Sequence, residues 1–275
     1  MILIVEDIAK ELKQRHDVDL GSYNSSFLLK KLKSRMASLA ITVPEDYLTY
    51  FRKDPGEALL LMNEIGISVS LFFRNTLVYS IIEQQLLPPI IAAKQHSGRQ
   101  EIRVWSAGCA TGEEPYSIAI LLHRLLNEEI TNWKVHIFAT DIDQERLTSA
   151  AAGVYPRAKL VDTRIGIVDE YFSQSREKYI LNPAIRQMVN FSLDDLASSE
   201  KIAPAASIFG SFDLVLCRNV MIYFNNSAKR RAIQKFVKTL NSSGYLILGE
   251  SEWIDDSLKS NFIEIDHTNR IYKKR

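Results

Sequence analysis

The sequence predicts an α/β domain built on a parallel sheet and preceded by an all-helical N-terminal domain. Two patterns support this fold class. In the first 85 residues, apolar side chains recur at helical spacing, as at Ile4, Ile8 and Leu12. Beyond residue 100, short apolar runs alternate with amphipathic helical stretches, a pattern typical of parallel strands joined by helices on both faces of a sheet. A chain of 275 residues accommodates two unequal domains of this kind.

The helical domain is assigned to residues 1–85. Its second apolar stripe comprises Leu28, Leu32, Met36 and Leu39. Pro44 marks the start of another helix, with Thr42 as its candidate cap, because proline is favoured in the first helical turn. Residues 86–100 are predicted to be a linker, since a Pro-Pro pair at 88–89 interrupts or ends a helix and a polar stretch follows.

The α/β domain is assigned to residues 101–275. Its predicted strands are Ile102–Ser106, Val135–Thr140, Phe212–Cys217 and Tyr245–Gly249. Residues 155–192 break the strand–helix alternation and contain short strand candidates, which indicates a small β-subdomain insertion. The end of the chain, residues 262–272, predicts a final hairpin.

Composition limits the classes of function. A formal net charge of +1 argues against a nucleic-acid-binding surface, because such domains are strongly basic. Cys109 and Cys217 are expected to be reduced packing residues, and no cysteine–histidine cluster predicts a metal site. The N-terminus is a poor signal peptide and no apolar run reaches ~18 residues. We therefore expect a cytoplasmic protein without membrane insertion, and the lack of a coiled-coil pattern favours a monomer.

The strongest local motif joins the first predicted strand to a helix through a glycine-containing loop, residues 107–112. Gly108 allows a sharp turn and a close approach to a ligand. The spacing to Gly112 does not match a dinucleotide fingerprint, which argues against an NAD-dependent dehydrogenase. Glu113 and Glu114 follow; they either complement the helix dipole as ordinary first-turn residues or attract a cationic ligand. S-adenosylmethionine (SAM), with its sulfonium and ammonium groups, suits such a loop better than a phosphate does.

Two aspartates follow the second predicted strand. Asp141 has the position of an acid that accepts hydrogen bonds from both ribose hydroxyls. Asp143 is better placed to cap the next helix, which starts at Gln144. Together with the glycine loop, Asp141 predicts a site for a nucleoside-containing cofactor.

Several motifs together resemble the CheR family of chemotaxis protein methyltransferases. They are VWSAGCATGEEPYS (104–117), ATDID (139–143), CRNVMIYF (217–224), SLFFR (70–74) and GESE (249–252), and together they cover nearly the whole chain. The resemblance implies a Rossmann-like methyltransferase domain with a small β-subdomain, preceded by a helical domain. It also implies SAM as cofactor, S-adenosylhomocysteine (SAH) as product, and methyl esterification of glutamate side chains in chemoreceptors.

The resemblance also implies roles for individual residues. Glu114 matches the residue that binds the methionyl end of the cofactor, Asp141 the ribose ligand, and Arg74 an arginine that reaches the cofactor and substrate. The remaining matches are Gly108, Arg218, Asn219 and Tyr223 in the cofactor loop and active-site segment, and Asp195 and Leu196 at the adenine. This chain departs from the family at three positions. The family commonly has Asn and Thr where this chain has Ser68 and Ser70, and Ser70 keeps a hydroxyl. The family has Asn where this chain has Asp195, and an aspartate can still accept a hydrogen bond from the adenine amino group.

Methyl transfer to a glutamate needs orientation more than proton transfer. A glutamate carboxylate, with a reference pKa of ~4.3, is already an anion at neutral pH, so no general base is required. Arg74 and Tyr223 are the candidate catalytic residues, because both suit the task of placing the carboxylate in line with the methyl group. The alternatives are a solvated surface arginine and a tyrosine that packs in the core.

The helical domain carries a candidate partner surface. No acidic residue lies between Asp19 and Glu45, whereas Lys30, Lys31, Lys33 and Arg35 cluster there. This basic stretch is either a solvated helix face or a surface that meets the glutamate-rich helices of a chemoreceptor. The segment of the β-subdomain at residues 172–180 lacks the glycine-containing loop of those relatives that bind a receptor C-terminal peptide, so we expect no such tether.

Two alternatives remain open. One is a methyltransferase of the same fold with a different acceptor, such as nucleic acid or a small molecule. The other is a cofactor-binding signalling scaffold with little or no activity. The intact residues at positions 74, 114, 141 and 223 favour an enzyme, whereas the departures at Ser68 and Asp195 leave the scaffold open.

Overall fold

The computed structural model describes two compact units. The described residues are 2–16, 20–54, 56–65, 70–198, 202–204, 207 and 211–275. One unit comprises Met1–Ser68 with Met221–Lys229, and the other comprises Val69–Val220 with Arg230–Arg275. The predicted domain boundary at residue 85 differs from this division, because the helices after residue 75 pack with the sheet. A division into compact units does not by itself define domains, so the predicted domain boundary at residue 85 stays a prediction.

The first unit is built mainly from four α-helices within the described part of the chain. They are α1 (Ile2–His16), α2 (Ser25–Ser38), α3 (Pro44–Lys53) and α4 (Glu57–Ile65). The side chain of Asn24 caps α2 by accepting a hydrogen bond from the N–H of Ser26 at 3.0 Å. The predicted cap Thr42 is wrong. Val43 occupies the cap position of α3 without a side-chain bond, and the preset backbone of Pro44 starts the helix instead.

Apolar stripes from these helices form the core of the first unit. The buried residues include the predicted set Ile4, Ile8, Leu12, Leu28, Leu32 and Met36. At the centre, the fully buried carboxylate of Glu57 accepts hydrogen bonds from Arg35 at 3.0 and 2.6 Å and from the hydroxyl of Tyr47 at 2.7 Å. This one carboxylate on α4 therefore links α2, which carries Arg35, and α3, which carries Tyr47. Its removal would leave the charge of Arg35 without its partner.

A segment from far along the chain completes the first unit. The N–H of Asn24 donates to the carbonyl of Tyr223 at 2.8 Å, and Tyr23 forms a β-bridge with Phe224. The ring of Tyr223 lies 4.6 Å from that of Phe27, centroid to centroid. Tyr223 therefore packs within the helical unit through aromatic contacts.

The second unit contains two sheets and the remaining helices. Its strands are β1 (Glu101–Ala107), β2 (Lys134–Asp141), β3 (Val154–Pro156), β4 (Phe172–Ser175), β5 (Lys178–Leu181), β6 (Val189–Leu193), β7 (Phe212–Cys217), β8 (Leu240–Leu248), β9 (Phe262–Asp266) and β10 (Ile271–Lys274). Its helices are α5 (Thr76–Ile81), α6 (Leu87–His96), α7 (Glu113–Leu126), α8 (Gln144–Ala152), α9 (Ile165–Tyr171), α10 (Pro183–Arg186), α11 (Asn226–Thr239, which begins in the segment grouped with the first unit) and α12 (Asp256–Lys259).

The larger sheet has seven strands in the order β6-β2-β1-β7-β8-β10-β9. The strands from β6 to β8 are parallel, and the closing hairpin of β9 and β10 is antiparallel. The predicted α/β fold is thus confirmed, as are its main strands and the final hairpin. After β1 the chain continues to one side of the sheet and later returns to the other, so the crevice for a ligand lies at the carboxyl ends of β1, β2 and β7.

The predicted linker, residues 86–100, is helical as far as His96. One π-helical turn, Ile82–Leu86, connects α5 to α6, and the helix continues through both prolines. The wider turn accommodates them because proline has no N–H for the normal helical bond. Leu87 and Ile90 of α6 are buried in the same core as the strands.

The smaller sheet, in the order β3-β5-β4, is the β-subdomain that the sequence predicts. The predicted range of 155–192 extends too far, because β6 joins the larger sheet beside β2. A short apolar run indicates a strand but does not show which sheet it joins. Among the described residues, no helix is long and apolar enough to cross a membrane.

Candidate cofactor and active site

The glycine loop after β1 has a backbone that only glycine adopts easily at Gly108. Its φ of +76° lies in the left-handed region, and a Cβ there would come within 2.4 Å of Cγ2 of Val220. The N–H groups of Gly108 and Cys109 donate to the carbonyl of Thr140 at 2.7 and 2.9 Å. The loop is therefore fixed against the end of β2 and leads directly into α7.

Asp141, the last residue of β2, has a carboxylate held by two backbone donors. Oδ2 accepts the N–H of Ala110 at 2.8 Å and Oδ1 accepts that of Asp143 at 3.1 Å. These bonds use two of about four acceptor positions on a carboxylate. Burial raises the pKa of Asp141, and the two N–H donors oppose this shift. Asp143 caps α8 as predicted, because its Oδ1 accepts the N–H groups of Glu145 and Arg146.

Glu114 lies in the first turn of α7 within a network of polar residues. Its Oε1 accepts the hydroxyl of Ser106 at 2.8 Å, and its Oε2 lies 3.8 Å from Nη1 of Arg218. The guanidinium of Arg218 also lies over the ring of Tyr79, 5.5 Å from its centroid. Burial raises the pKa of Glu114, and the charges of Arg218 and Arg74 lower it in part. The effect of burial exceeds that of the two arginines, so a cationic ligand would stabilise this carboxylate further.

The neighbouring Glu113 has a different partner. Its side chain is fully buried, with Oε1 2.8 Å from Nζ of Lys159 and both oxygens accepting the hydroxyl of Thr111. Because its charge is already neutralised inside the protein, Glu113 supports the loop. Only Glu114 of the two first-turn acids has the environment of a ligand-binding group.

Residues 70–75 form a segment that we call the strap. Nζ of Lys159 donates to the carbonyl of Ser70 at 2.8 Å, and the N–H of Phe72 donates to the carbonyl of Lys159 at 3.0 Å. The N–H of Phe73 donates to the hydroxyl of Ser117 on α7 at 3.0 Å. The strap is thus attached to both the β-subdomain and α7, which places the half-buried Arg74 close enough to Glu114 to affect its pKa.

The end of β6 lies next to Asp141. The N–H of Asp194 donates to the carbonyl of Asp141 at 3.0 Å, and Leu196 is buried. The carboxylate of Asp195 accepts the N–H of Ala197 at 2.9 Å, which leaves further acceptor positions on that side chain. Ile142 is half exposed beside Asp141, an arrangement that offers an apolar surface to a flat base.

These groups fit SAM on chemical grounds. The glycine loop has no room for a side chain at Gly108. The carboxylate of Asp141 can accept hydrogen bonds from hydroxyl groups, and Glu114 supplies a negative charge. Within the described ranges, no group of three or more His, Cys, Asp or Glu residues is arranged to hold a metal ion. Cys109 and Cys217 are both buried with free thiols.

Comparison with known proteins agrees with this geometry. The family model described as "CheR methyltransferase, SAM binding domain" matches residues 68–271. The chain belongs to the CheR methyltransferase family. Its SAM-binding domain and the cofactor prediction are thereby confirmed.

Three chemotaxis protein methyltransferases align with this CheR-family chain along most of their length. A chemotaxis protein methyltransferase of Borreliella burgdorferi is 33% identical over 76% of this chain and 73% of its own. The proteins of the same name from Listeria innocua and Escherichia coli K12 are 33% and 32% identical, over 82% and 89% of this chain and 83% and 82% of their own.

The structure places most of the predicted site residues of this CheR-family chain in its second unit. Around the carboxyl ends of β1, β2, β6 and β7 lie Ser70, Arg74, Gly108, Glu114, Asp141, Asp195, Leu196, Arg218 and Asn219. Tyr223 belongs to the helical unit, and Ser68 lies outside the described residues. Their individual roles stay predictions.

Sequence reasoning missed several supporting residues. Ser106, which donates to Glu114, directly precedes the glycine loop, so its place at a strand end offered a signal. Lys159 offered none, since its partners are distant in sequence. Glu252 belongs to a motif that the family resemblance includes, but the motif alone assigns it no role.

Proposed function

We propose that this CheR-family protein is a cytoplasmic methyltransferase that esterifies glutamate side chains of chemoreceptors, with SAM as donor and SAH as product. The observation that carries the proposal is an acid and a cation side by side at the carboxyl end of β7, where Oε2 of Glu114 lies 3.8 Å from Nη1 of Arg218. Glu114 suits the cationic part of the cofactor, and Arg74 lies close enough to influence its pKa while offering a positive charge to an anionic acceptor. The names of the relatives point to the same role.

The proposed chemistry asks the protein to orient its acceptor. When bound, SAM supplies an electrophilic methyl group on its sulfonium. Arg74 is proposed to hold the acceptor carboxylate in line, and Tyr223 to assist through its hydroxyl. Strong pairing of the carboxylate would be counterproductive, because transfer neutralises its charge; the two residues therefore contribute mainly by orientation and by excluding water.

Transfer of labelled methyl groups tests the proposed function. We expect the wild-type protein to label a cytoplasmic chemoreceptor fragment, and mild alkali to release the label as methanol, since carboxyl methyl esters hydrolyse readily. Replacement of the acceptor glutamates by alanine should abolish the label. Alkali-stable label, or label in nucleic acid, would identify a different acceptor; a folded protein that binds SAM but transfers nothing would be a scaffold.

The same assay addresses the proposed absence of a peptide tether. The strands β4 and β5 are joined by a tight turn at residues 176–177 that contains no glycine. A receptor fragment without its C-terminal residues should therefore be methylated as fast as the complete fragment. A marked loss of rate on truncation would show that the tether exists.

The basic stretch of α2 is smaller in the structure than its sequence suggests. Arg35 is paired with the buried Glu57, and Nζ of Lys31 lies 3.7 Å from Glu64. Lys30 and Lys33 are exposed on this helix. We propose that these two lysines attract the acidic receptor helices.

Reversal of both charges tests this surface. The double variant Lys30→Glu/Lys33→Glu is expected to reduce kcat/KM for the receptor about tenfold at low salt, because steering by charge accelerates association by 10-fold or more. The loss should shrink as salt screens the charges. The matched control is Lys134→Glu/Lys238→Glu, which changes the charge equally at two exposed lysines of the second unit. Equal rates for the two double variants would contradict the assignment.

A further inference from the structure

The turn after β8 contains a buried carboxylate with no assigned role. Glu252 is 3% exposed. Its Oε2 accepts the N–H groups of Gly249 at 2.6 Å and Asn219 at 3.0 Å, and its Oε1 accepts the N–H of Val220 at 2.9 Å. Hydrogen bonds to an ionised acceptor are the strong ones, so this side chain binds two separate segments firmly.

The segment that Glu252 holds includes two predicted site residues. Asn219 has a φ of +61°, a left-handed conformation that a non-glycine residue adopts only where its surroundings fix it. The convergence of two successive N–H groups on one carboxylate supplies that restraint. The position of Arg218, which faces Glu114, depends directly on this backbone.

The contacts of Glu252 extend to the glycine loop. Val220, whose N–H it binds, lies so close to Gly108 that even a methyl group there would collide with it. Gly249 is required for the same arrangement, since a Cβ on it would come within 2.7 Å of Oε2 of Glu252 and 2.8 Å of the N of Asn219.

A second carboxylate of this turn binds the strap. The side-chain amide of Asn75 donates to Oε1 of Glu250, and Arg270 donates to the carbonyl of Glu250 at 3.2 Å. Asn75 directly follows Arg74 and has a φ of +66°. The turn at residues 249–252 thus contacts both arginine-bearing segments of the candidate site.

We propose that Glu252 is a positioning residue for methyl transfer, which acts by holding Arg218, Asn219 and the glycine loop in their binding geometry. This inference deepens the proposed function and rests on it for the catalytic step, although its effect on cofactor binding does not depend on the acceptor. The chemical requirement is an acceptor on both oxygens, which glutamate meets and glutamine does not.

The variant Glu252→Gln tests the proposal because its amide nitrogen must face at least one backbone N–H. We expect the Kd for SAH, measured by calorimetry, to rise about tenfold or more, because buried donors lose their partner. In the methylation assay, kcat at saturating SAM should fall, and the KM for SAM should rise. A residue that merely stabilises the fold would leave both values unchanged at a temperature where the variant is folded.

Asp213→Asn is the matched control. Asp213 is a buried acid near the start of β7, at the opposite end of the strand from Arg218, and it accepts the N–H of Arg103 at 3.0 Å and pairs with Lys94 at 2.8 Å. Both variants should lower the thermal midpoint, but only Glu252→Gln should weaken SAH binding. Equal SAH affinity in Glu252→Gln and wild type would overturn the proposal.

A second variant decides the question if Glu252→Gln does not fold. Glu252→Asp keeps the charge but is one methylene shorter, so its oxygens no longer reach the N–H groups of Gly249, Asn219 and Val220 together. A rise in the Kd for SAH supports the positioning role, and an unchanged Kd overturns it. Failure of the wild type to methylate a receptor would refute the proposed acceptor and leave this comparison of SAH affinities intact.

Discussion

Asp141→Ala is expected to weaken the binding of SAM and SAH by about 100-fold or more. Hydrogen bonds to a charged group contribute ~1.5–3 kcal/mol each, and loss of two such bonds to a ribose corresponds to at least this factor. The carboxylate is already oriented by the N–H groups of Ala110 and Asp143. Calorimetric titration of the purified variants measures the effect.

Asp143→Ala is the matched control for this prediction. Its side chain caps α8, so its loss should cost ~0.5–2 kcal/mol of stability without removing the ligand contacts of Asp141. The backbone N–H that Asp143 donates to Asp141 remains. Near-equal losses of SAH affinity in the two variants would show that Asp141 acts only through the fold of this loop.

Burial of Asp141 also predicts a change in stability without ligand. Because burial raises the pKa of Asp141 in the folded protein, ionisation of this side chain destabilises the fold at pH values above that pKa. Asp141→Asn removes this charge but also leaves one of the N–H groups of Ala110 and Asp143 without an acceptor, so the prediction concerns the pH dependence. Without ligand, the thermal midpoint of the wild type relative to that of Asp141→Asn should rise as the pH falls through the raised pKa, where the wild-type side chain is protonated. The binding site thus retains a charge at the expense of stability.

The features that sequence predicts well are those with a local pattern. The parallel strands show as short apolar runs, and Gly108 and Asp141 follow two of those runs directly. Since the carboxyl ends of neighbouring parallel strands lie at one edge, their order along the chain is sufficient to place both residues in one crevice.

The features that sequence does not predict depend on distant contacts. Lys159 bonds to the strap and to Glu113, and Glu252 bonds to residues about thirty positions earlier. No periodicity marks such residues, because each serves backbone groups that become neighbours only after the sheet forms. The same reason explains why the sequence predicts β6 in the subdomain, whereas the strand pairs with β2 in the larger sheet.

Glu114→Gln is expected to weaken SAH binding about tenfold while leaving the affinity for 5′-methylthioadenosine unchanged. SAH carries an ammonium group, whereas 5′-methylthioadenosine keeps the adenine and ribose but lacks the amino-acid portion. A hydrogen bond to a charged group exceeds a neutral one by ~1.4 kcal/mol, which is a factor of ten. Asp141→Ala, in contrast, should weaken both ligands, so the two variants separate the two ends of the site.

The pH dependence of SAH binding independently tests the role of the Glu114 charge. Because burial raises the pKa of Glu114, the wild-type protein should lose SAH affinity as the pH falls through that pKa and the side chain becomes neutral. Glu114→Gln has no such group, so its profile should be flatter. Protonation of Asp141 affects both ligands, and the 5′-methylthioadenosine profile therefore measures that contribution separately. If Glu114→Gln weakened both ligands equally, Glu114 would act by supporting Arg218 and Ser106, and the charge that recognises the cofactor would have to be another residue.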